Sequence, residues 1–291
     1  MNYIIGTRGS KLALAQAGIV QNRLQEAYPQ DTFSCRIVST KGDQITDRPL
    51  ELIGGKGLFV AEIERLLLSG EIQLAVHSMK DMPAEQTEGL IFSKAWKRED
   101  PRDVLLLREA SSFDALRPGA VIGTGSKRRG FQLLARRPDL KIVNLRGNID
   151  TRIEKMREIP LDGIVLAAAG LIRLHRESEI TEYLEPEIMI PAPTQGTLAI
   201  QLREADEELL GKVNALADEE TEIVSRAERL FLQGVGGDCH LPIGAYGRRL
   251  PDGRIELAAL FGDAEGEKVR TTRKVGNSPE SVASEALREL L

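Results

Sequence analysis

The chain has 291 residues and a mass of 32.0 kDa, which suits about two domains of ~150 residues each. Hydrophobic residues make up 42% and charged residues 29%, and this composition excludes a disordered chain and a fibrous repeat. The net charge of −5 does not favour a nucleic-acid binder, which usually carries a basic excess, so we expect no nucleic-acid partner.

The first third of the chain alternates strand and helix signals. The predicted strands are 3–6, 33–39 and 74–78, and the predicted helices are 10–27 and 58–69. Ser10 stands where a helix N-cap belongs, and Gly70 ends the second helix. Between strand and helix, the glycine-rich residues 40–57 predict a long mobile loop, and loops of this kind are usually functional.

A second unit follows the charged, proline-containing residues 96–102. Its predicted strands are 104–107, 121–123, 141–145 and 163–168, with helices near 129–136 and 150–158. Strands that alternate with helices predict βαβ units and a parallel sheet. Residues 191–196 are typical of a linker, and the strand predicted at 197–202 could return to the first sheet.

The last part of the chain has a different pattern. A helix at 219–233 precedes three strand-like segments, and a helix at 279–291 closes the chain. These elements predict a small α+β module with an antiparallel sheet. The predicted fold class is therefore α/β, with two doubly wound βαβ domains and a small C-terminal α+β domain. We find no internal repeat in the sequence.

Basic residues follow several predicted strands, beside glycine or serine. Arg8, Lys80, Lys127–Arg129 and Arg146 come directly after strands, and Arg152 lies one helical turn further on. Ligands of open parallel sheets bind beyond the carboxyl ends of the strands, where guanidinium groups and helix N-termini bind carboxylates and phosphates. This placement predicts a cleft for a ligand with several negative charges. A set of solvated surface arginines is the alternative.

Neither common phosphate-binding motif is complete. Gly54–Gly57 lacks the Ser or Thr that follows the lysine of a Walker A loop, and Gly6–Ser10 lacks the third glycine of a dinucleotide fingerprint. Carboxylates are therefore favoured as the charged groups of the ligand.

Asp81 and Cys239 are the candidate reactive residues. Asp81 could act as acid, base or cation stabiliser, and a plain ion pair or a helix cap is the alternative. Cys239 follows two glycines that allow close approach, whereas many free cysteines merely fill space in a core. Cys35 lies in a predicted strand and is expected in the core. The two cysteines form no disulfide pattern, and the three histidines lack metal-ligand spacing, so we expect no metal site.

Eight motifs, spread in order over almost the whole chain, resemble those of the porphobilinogen deaminase (hydroxymethylbilane synthase) family. The motifs lie at residues 8–16, 54–59, 76–83, 98–103, 126–129, 145–152, 169–173 and 236–239.

The resemblance implies a three-domain transferase in which two domains are similar to bilobal anion-binding proteins. The domains would be 1–96 with 197–214, then 102–190, then 219–291. Such an enzyme deaminates four porphobilinogen molecules and condenses them on a covalent dipyrromethane cofactor, releasing hydroxymethylbilane and ammonia for porphyrin and heme biosynthesis. The resemblance implies a cytoplasmic monomer without a membrane partner, and the N-terminal residues lack a secretory signal.

The resemblance also implies roles for individual residues. Cys239 would hold the cofactor by a thioether, and Asp81 would be the catalytic carboxylate, stabilising the cation left when ammonia departs. The cofactor-binding residues would be Ser78, Lys80, Asp81, Thr124, Ser126, Arg128, Arg129 and Arg146. The substrate-binding residues would be Arg8, Ser10, Gln16, Phe59, Arg152, Arg173 and Gln195, and Lys56 would belong to a lid.

Departures from the family pattern stand at Gly125, Lys127, Asp150 and Thr194. The strongest alternative function is a non-catalytic two-lobed anion-binding protein, which would explain the arginines but not Cys239. A transcription regulator's effector domain is a third possibility, although no helix-turn-helix segment precedes the sheet.

Overall fold

A computed structural model describes residues 1–39, 60–237, 241–263 and 269–291. The chain divides into two compact units, Met1–Arg98 with Thr197–Glu222 and Glu99–Gly196 with Ile223–Leu291. Three predicted functional residues, Lys56, Phe59 and Cys239, lie outside the described residues, as does the predicted mobile loop. The predicted division into three domains stays a prediction.

Most helices and strands have bounds close to those predicted, and four short elements occur where none of their type was predicted. In chain order the elements are β1 (Asn2–Thr7), α1 (Lys11–Ala27), β2 (Thr32–Ile37), α2 (Ala61–Leu68), β3 (Leu74–Ser78), β4 (Leu90–Phe92), β5 (Asp103–Leu107), β6 (Val121–Gly123), α3 (Lys127–Arg136), β7 (Lys141–Val143), α4 (Ile149–Glu158) and β8 (Gly163–Ala167). They continue with α5 (Ala168–Arg173), β9 (Glu182–Leu184), β10 (Leu198–Arg203), α6 (Glu207–Asn214), α7 (Glu219–Gly234), β11 (Gly244–Arg249), β12 (Ile255–Phe261), β13 (Arg270–Gly276) and α8 (Pro279–Leu290).

The sheet of the first unit has the strand order β2-β1-β3-β10-β4. β1 is parallel to β2 and β3, whereas β10 is antiparallel to both of its neighbours. The prediction that the strand after the linker returns to the first sheet is therefore confirmed. The predicted βαβ units are confirmed, and β10 can join the sheet antiparallel because a strand that arrives from a remote part of the chain needs no helical crossover.

The sheet of the second unit repeats this topology. Its order is β7-β6-β8-β5-β9, again with one antiparallel strand, β5, in fourth place. Thus β1 corresponds to β6, β3 to β8 and β10 to β5. The sequence analysis found no repeat because two sheets can have the same strand order, which depends on backbone hydrogen bonds, while different apolar residues fill their cores.

Apolar strands of the second sheet are buried on both faces. Leu105 and Val165 pack in one core cluster, whereas their neighbours Val104, Ile164 and Leu166 pack in another on the opposite face. Successive side chains of a strand point to opposite faces, so an uninterrupted apolar run marks a strand covered on both sides. This arrangement leaves the strand ends as the places where polar side chains gather.

The C-terminal part forms an antiparallel sheet, β11-β12-β13, as predicted. Phe231 of α7, Leu257 of β12 and Val282 of α8 lie in one fully buried cluster, so both helices pack on this sheet. α8 begins with Ser278 in a capping box, with a proline in its first turn. This part belongs to the second compact unit.

The edge strand β2 differs from the prediction. Of its residues only Phe33 is buried, stacked on Tyr3 at 5.2 Å between ring centroids, and Cys35 is exposed. The prediction that Cys35 lies in the core is therefore wrong. The Cys35 thiol donates a hydrogen bond to Gln21 Oε1 of α1 at 3.2 Å, so the helix presents an amide rather than an apolar side chain at this level. Within the described residues, every helix is too short or too polar to cross a bilayer.

Candidate functional site

The same turn follows β1 in the first sheet and its counterpart β6 in the second. Ser10 begins α1 and accepts a hydrogen bond from Ala13 N at 3.3 Å, and Ser126 begins α3 and accepts one from Arg129 N at 3.4 Å. Both serines are N-cap residues, so part of the bonding capacity of each hydroxyl is used by its own helix. Each lies at the carboxyl edge of its sheet, as the sequence analysis predicted.

A short sequence repeat accompanies the two turns. Gly-Thr-Arg-Gly-Ser-Lys precedes α1 and Gly-Thr-Gly-Ser-Lys precedes α3, and a glutamine follows each serine by six positions, Gln16 and Gln132. Both glutamines are buried. This repeat is the signal in the sequence that could have revealed the duplicated topology.

The edge of the first sheet places four predicted residues together. β3 ends at Ser78, whose Oγ accepts a hydrogen bond from Gln16 Nε2 at 2.9 Å, and a 3₁₀ turn over Met79–Asp81 follows. Lys80 is half-buried in this turn, and Arg8 follows the neighbouring parallel strand β1. The predicted convergence of these residues on one edge is therefore observed.

Asp81 has an exposed carboxylate at this edge. Across the described parts of the chain, its side chain makes no hydrogen bond or ion pair, and the N-cap of its turn is Ser78. The two alternatives to a chemical role, an ion pair and a helix cap, thus have no support in the structure. An exposed carboxylate with no ion pair to the described residues can approach a ligand.

His77, which the sequence analysis set aside, lies one residue before this edge. It is 7% exposed, and its Nε2 atom has no hydrogen-bond partner among the residues that the structure describes. Burial lowers the pKa of His77 to about 4, and the positive charge of Arg8 acts in the same direction. His77 is therefore neutral near pH 7. The signal in the sequence that could have identified His77 was a histidine inside an otherwise apolar strand.

The edge of the second sheet contains a buried ionic cluster. Arg128 Nη1 donates to Asp103 Oδ2 at 2.7 Å, and Arg129 donates to Asp103 Oδ1 from Nε at 3.0 Å and from Nη2 at 2.7 Å. All three side chains are at least nine-tenths buried. The cluster holds two guanidinium groups and one carboxylate, so its net charge is +1.

Burial and charge act in opposite directions on this cluster. Burial alone raises the pKa of Asp103, but the guanidiniums of Arg128 and Arg129 outweigh it and hold the pKa below its usual value. Burial lowers the pKa of Arg128, and the attraction of Asp103 offsets this only in part. The ionised state of all three groups is the one we infer near pH 7, because an arginine does not lose its proton in proteins.

Gln195 is tied to the same carboxylate. It is fully buried, and its Nε2 donates to Asp103 Oδ1 at 3.0 Å and to Pro101 O at 2.8 Å. The sequence analysis predicted Gln195 as a substrate-binding residue and missed Asp103. The signal for Asp103 was a charged residue at the start of an apolar strand.

The other predicted residues of the second unit lie at the same edge. Thr124 is buried after β6 and its Oγ1 accepts from Ser126 N at 3.2 Å. Arg146 is half-buried after β7, and Arg152 Nε on α4 donates to Gly147 O at 2.7 Å. The carboxyl end of the parallel strands therefore carries basic and hydroxyl side chains, as predicted.

Arg173 at the end of α5 is a further largely buried cation. Its Nη2 donates to Gly196 O at 2.5 Å. Burial lowers the pKa of Arg173 to about 10, and the charge of Glu99 partly opposes this shift. The guanidinium still carries its proton near pH 7, and an anionic ligand would stabilise it.

Of two surface cavities, the second is lined in part by Gln132 and Ile190, both of which hydrogen-bond with Arg128. One of about 330 Å³ is lined by Tyr3, Gln73 and Asp206, and one of about 380 Å³ by Arg136, Glu187 and Arg273 among others. No predicted site residue lines either cavity. The chemistry of the strand ends, rather than cavity size, therefore locates the candidate site.

The duplicated sheets, with cations at their carboxyl ends, define a class of α/β proteins that bind anionic ligands. The sequence models of two families match the chain, "Porphobilinogen deaminase, dipyromethane cofactor binding domain" over residues 3–211 and "Porphobilinogen deaminase, C-terminal domain" over residues 223–291. The chain therefore belongs to the porphobilinogen deaminase family, the transferases of tetrapyrrole biosynthesis with a dipyrromethane cofactor.

Curated relatives agree over nearly the full length. A porphobilinogen deaminase of Lachnospira eligens is 55% identical over 100% of this chain and 99% of its own. That of Clostridioides difficile is 54% identical over 92% and 89%, and that of Bacillus subtilis 46% identical over 96% and 89%. The non-catalytic alternative is thus not supported.

Solved structures give a weaker likeness. The periplasmic VFT2 domain of BvgS from Bordetella pertussis aligns over 74% of this chain and 86% of its own, with a TM-score of 0.45 and 17% identity. The methionine-binding protein MetQ aligns over 74% and 89%, with a TM-score of 0.45 and 13% identity. The fold class rests on the strand order of the sheets themselves.

The residues of the second edge fit the family's cofactor. A dipyrromethane carries carboxylate side chains, and the cluster at Asp103 has an uncompensated positive charge and guanidinium donors to spare. A buried net charge is costly unless an ion of opposite sign meets it. Cys239, the attachment residue implied by the resemblance, lies outside the described residues.

Proposed function

We propose that the chain carries out the porphobilinogen deaminase reaction with Asp81 as its catalytic carboxylate and Cys239 as the attachment point of the cofactor. The structural observation that supports this most directly is the buried pair Arg128 and Arg129, with a single carboxylate between them. Such a pair suits a ligand that brings its own carboxylates. The roles of the individual residues remain the expectations drawn from the family resemblance.

Asp81 acts on the developing positive charge. When ammonia leaves the aminomethyl carbon of porphobilinogen, the remaining pyrrole becomes cationic, and a fixed carboxylate nearby lowers the free energy of that state. The Asp81 side chain has no competing ion pair within the described chain. It can therefore offer its full charge to the substrate.

The cofactor, when bound, supplies the pyrrole carbon to which the first substrate is joined. Its carboxylates are held by cations and hydroxyl groups at the ends of the strands. These residues are Ser78, Lys80, Thr124, Ser126, Arg128, Arg129 and Arg146.

Substrate binding uses a second set of residues, all of them polar except Phe59. Their carboxylate partners are the acetate and propionate groups of porphobilinogen, which guanidiniums bind in bidentate fashion. The set comprises Arg8, Ser10, Gln16, Phe59, Arg152, Arg173 and Gln195, with Lys56 in the lid. We further propose that the enzyme acts as a monomer in the cytoplasm, where Cys35 stays a free thiol.

Intact-protein mass spectrometry tests the attachment. The purified enzyme should exceed the mass of its polypeptide by two pyrrole units, and peptide mapping should place them on Cys239. Cys239→Ser should remove the added mass and the activity. Cys35→Ser, at the other cysteine, is the matched control and should keep both. An active enzyme at bare polypeptide mass would refute the proposal.

A further inference from the structure

The corresponding positions of the two sheets carry different residues at the strand edge. Counted from the capping serines, Arg128 and Arg129 of α3 correspond to Leu12 and Ala13 of α1. Asp103, opposite the last residue of β8, corresponds to Leu198, opposite the last residue of β3. The first unit thus builds the same architecture with three apolar residues where the second has three charges.

This difference shows that the fold itself does not need the charged cluster. A buried ion pair is seldom more stable than apolar residues of similar volume, because both charges lose their hydration. A cluster of +1 net charge is less favourable still. The charges of the second unit are therefore retained for a ligand rather than for folding.

The hydrogen bonds within the cluster fix the orientation of both guanidiniums. Of the five N–H groups of an arginine, Arg128 uses two, toward Asp103 and Ile190 O, and Arg129 uses three, toward Asp103 and Val165 O. The other N–H groups of both arginines have no partner among the described residues. Asp103 touches both guanidiniums and leaves these N–H groups available.

We propose that Asp103 is a positioning residue: it orients Arg128 and Arg129 so that their remaining N–H groups bind the carboxylates of the cofactor. This inference rests on the proposed function, because it assumes that the two arginines meet the dipyrromethane. Gln195 supports the orientation, since its amide donates to the same carboxylate and to Pro101 O. Asp103 itself touches neither cofactor nor substrate in this proposal.

The first test measures cofactor loading. Asp103→Asn keeps the shape of the side chain but turns one acceptor into an NH₂ group that faces a guanidinium. We expect the fraction of purified chain with two pyrrole units on Cys239 to fall by about tenfold, because a hydrogen bond to a charged group is lost. Asp162→Asn is the matched control, since Asp162 pairs with Arg117 through two 2.8 Å bonds in the same unit. It should load as the unchanged enzyme does.

The second test separates positioning from a purely structural role. The melting temperature is measured for the loaded enzyme and for the Cys239→Ser form, each with and without Asp103→Asn. Positioning predicts that the gain in melting temperature on loading becomes smaller in Asp103→Asn. If Asp103→Asn lowers the melting temperature equally in the loaded enzyme and in the Cys239→Ser form, and loading stays normal, Asp103 has a purely structural role and the proposal is overturned. If loading raises the melting temperature more in Asp103→Asn than in the unchanged enzyme, Asp103 competes with the cofactor for the arginines, and the proposal is also overturned.

A gentler variant covers the case in which Asp103→Asn does not fold. Gln195→Leu keeps all three charges and removes only one donor to Asp103, and it should lower loading in the same direction but less. Normal loading in Gln195→Leu, with an insoluble Asp103→Asn, would count against the proposal. If the unchanged enzyme itself carries no added mass, the proposed function fails instead, so the two failures are distinguishable.

Discussion

The two α/β sheets share one strand order but differ in what their carboxyl edges offer a ligand. The first ends in an exposed carboxylate, Asp81, that has no ion pair within the described residues. The second ends in buried guanidiniums that Asp103 already holds in place. An exposed carboxylate is suited to reaction, and buried, oriented cations are suited to permanent binding.

This contrast teaches that duplication of a fold leaves the edge chemistry free to diverge. The turns that follow β1 and β6 keep the same capping serine, because each helix needs an N-cap acceptor. Both helices begin with a lysine, but their second and third residues are apolar in one unit and basic in the other.

The largest expected effect is on the exposed edge. Asp81→Asn should lower kcat by about 10²–10³-fold, since a neutral amide stabilises a developing cation poorly, while the loaded mass stays unchanged. Steady-state kinetics and intact mass check both parts. Asp252→Asn, at an exposed turn beside Arg254, is the control and should keep full activity. Near-normal kcat in Asp81→Asn would place the chemistry elsewhere.

The buried edge should respond in stability as well as in loading. Arg128→Leu breaks a buried pair with Asp103 and should lower the free energy of unfolding by about 3 kcal/mol. Arg146→Leu removes a half-buried cation and should reduce loading with little loss of stability. Chemical denaturation and intact mass distinguish the two variants. Equal stability in both would contradict the difference in burial.

We expect His77 to make the stability of the first unit depend on pH in the acid range. Its folded pKa of about 4 lies below the usual 6.5, so the unfolded chain binds more protons between these values. The contribution of His77 to the free energy of unfolding is fully present above pH 6.5. It is lost as the pH falls toward 4, by up to about 3 kcal/mol. Denaturation curves across this range measure the loss.

A matched pair of histidine variants isolates this effect. His77→Asn should flatten the pH dependence between pH 6.5 and 4. His175→Asn should leave it unchanged, because His175 is exposed and its φ of 55° suits asparagine. An unchanged slope in His77→Asn would assign the acid sensitivity to other groups.

The smallest effects should be equal at the two edges. Ser10→Ala and Ser126→Ala each remove a helix cap, with acceptor distances of 3.3 and 3.4 Å, and each should cost about 1 kcal/mol of stability. Thermal denaturation checks this equality. Ser112→Ala, in a surface turn that precedes β6, is a control for loss of a hydroxyl outside a helix start. Any loss of activity beyond this loss of stability would come from the ligand contacts that we propose for the two serines.

Much of the fold could be predicted from local pattern. Ser10 as N-cap, the strand into Met79–Asp81 and the antiparallel C-terminal sheet all follow from residues close together in sequence. The short elements β4, α5, β9 and α6 were not predicted, because segments of this length lack a clear periodicity. The exposure of Cys35 depended on which residue of α1 lies above it, and no local pattern encodes that.

The sequence by itself determined the types of most elements, the return of the chain to the first sheet, the placement of cations after strands and the family resemblance, since each depends on residue order or short-range propensity. Only the tertiary structure decided that Asp103 and Gln195 meet Arg128 and Arg129, that Asp81 has no ion pair within the described chain and that one strand order occurs twice. The physical reason is that ion pairing and burial depend on distances between residues far apart in the chain, as with the 92 positions between Asp103 and Gln195.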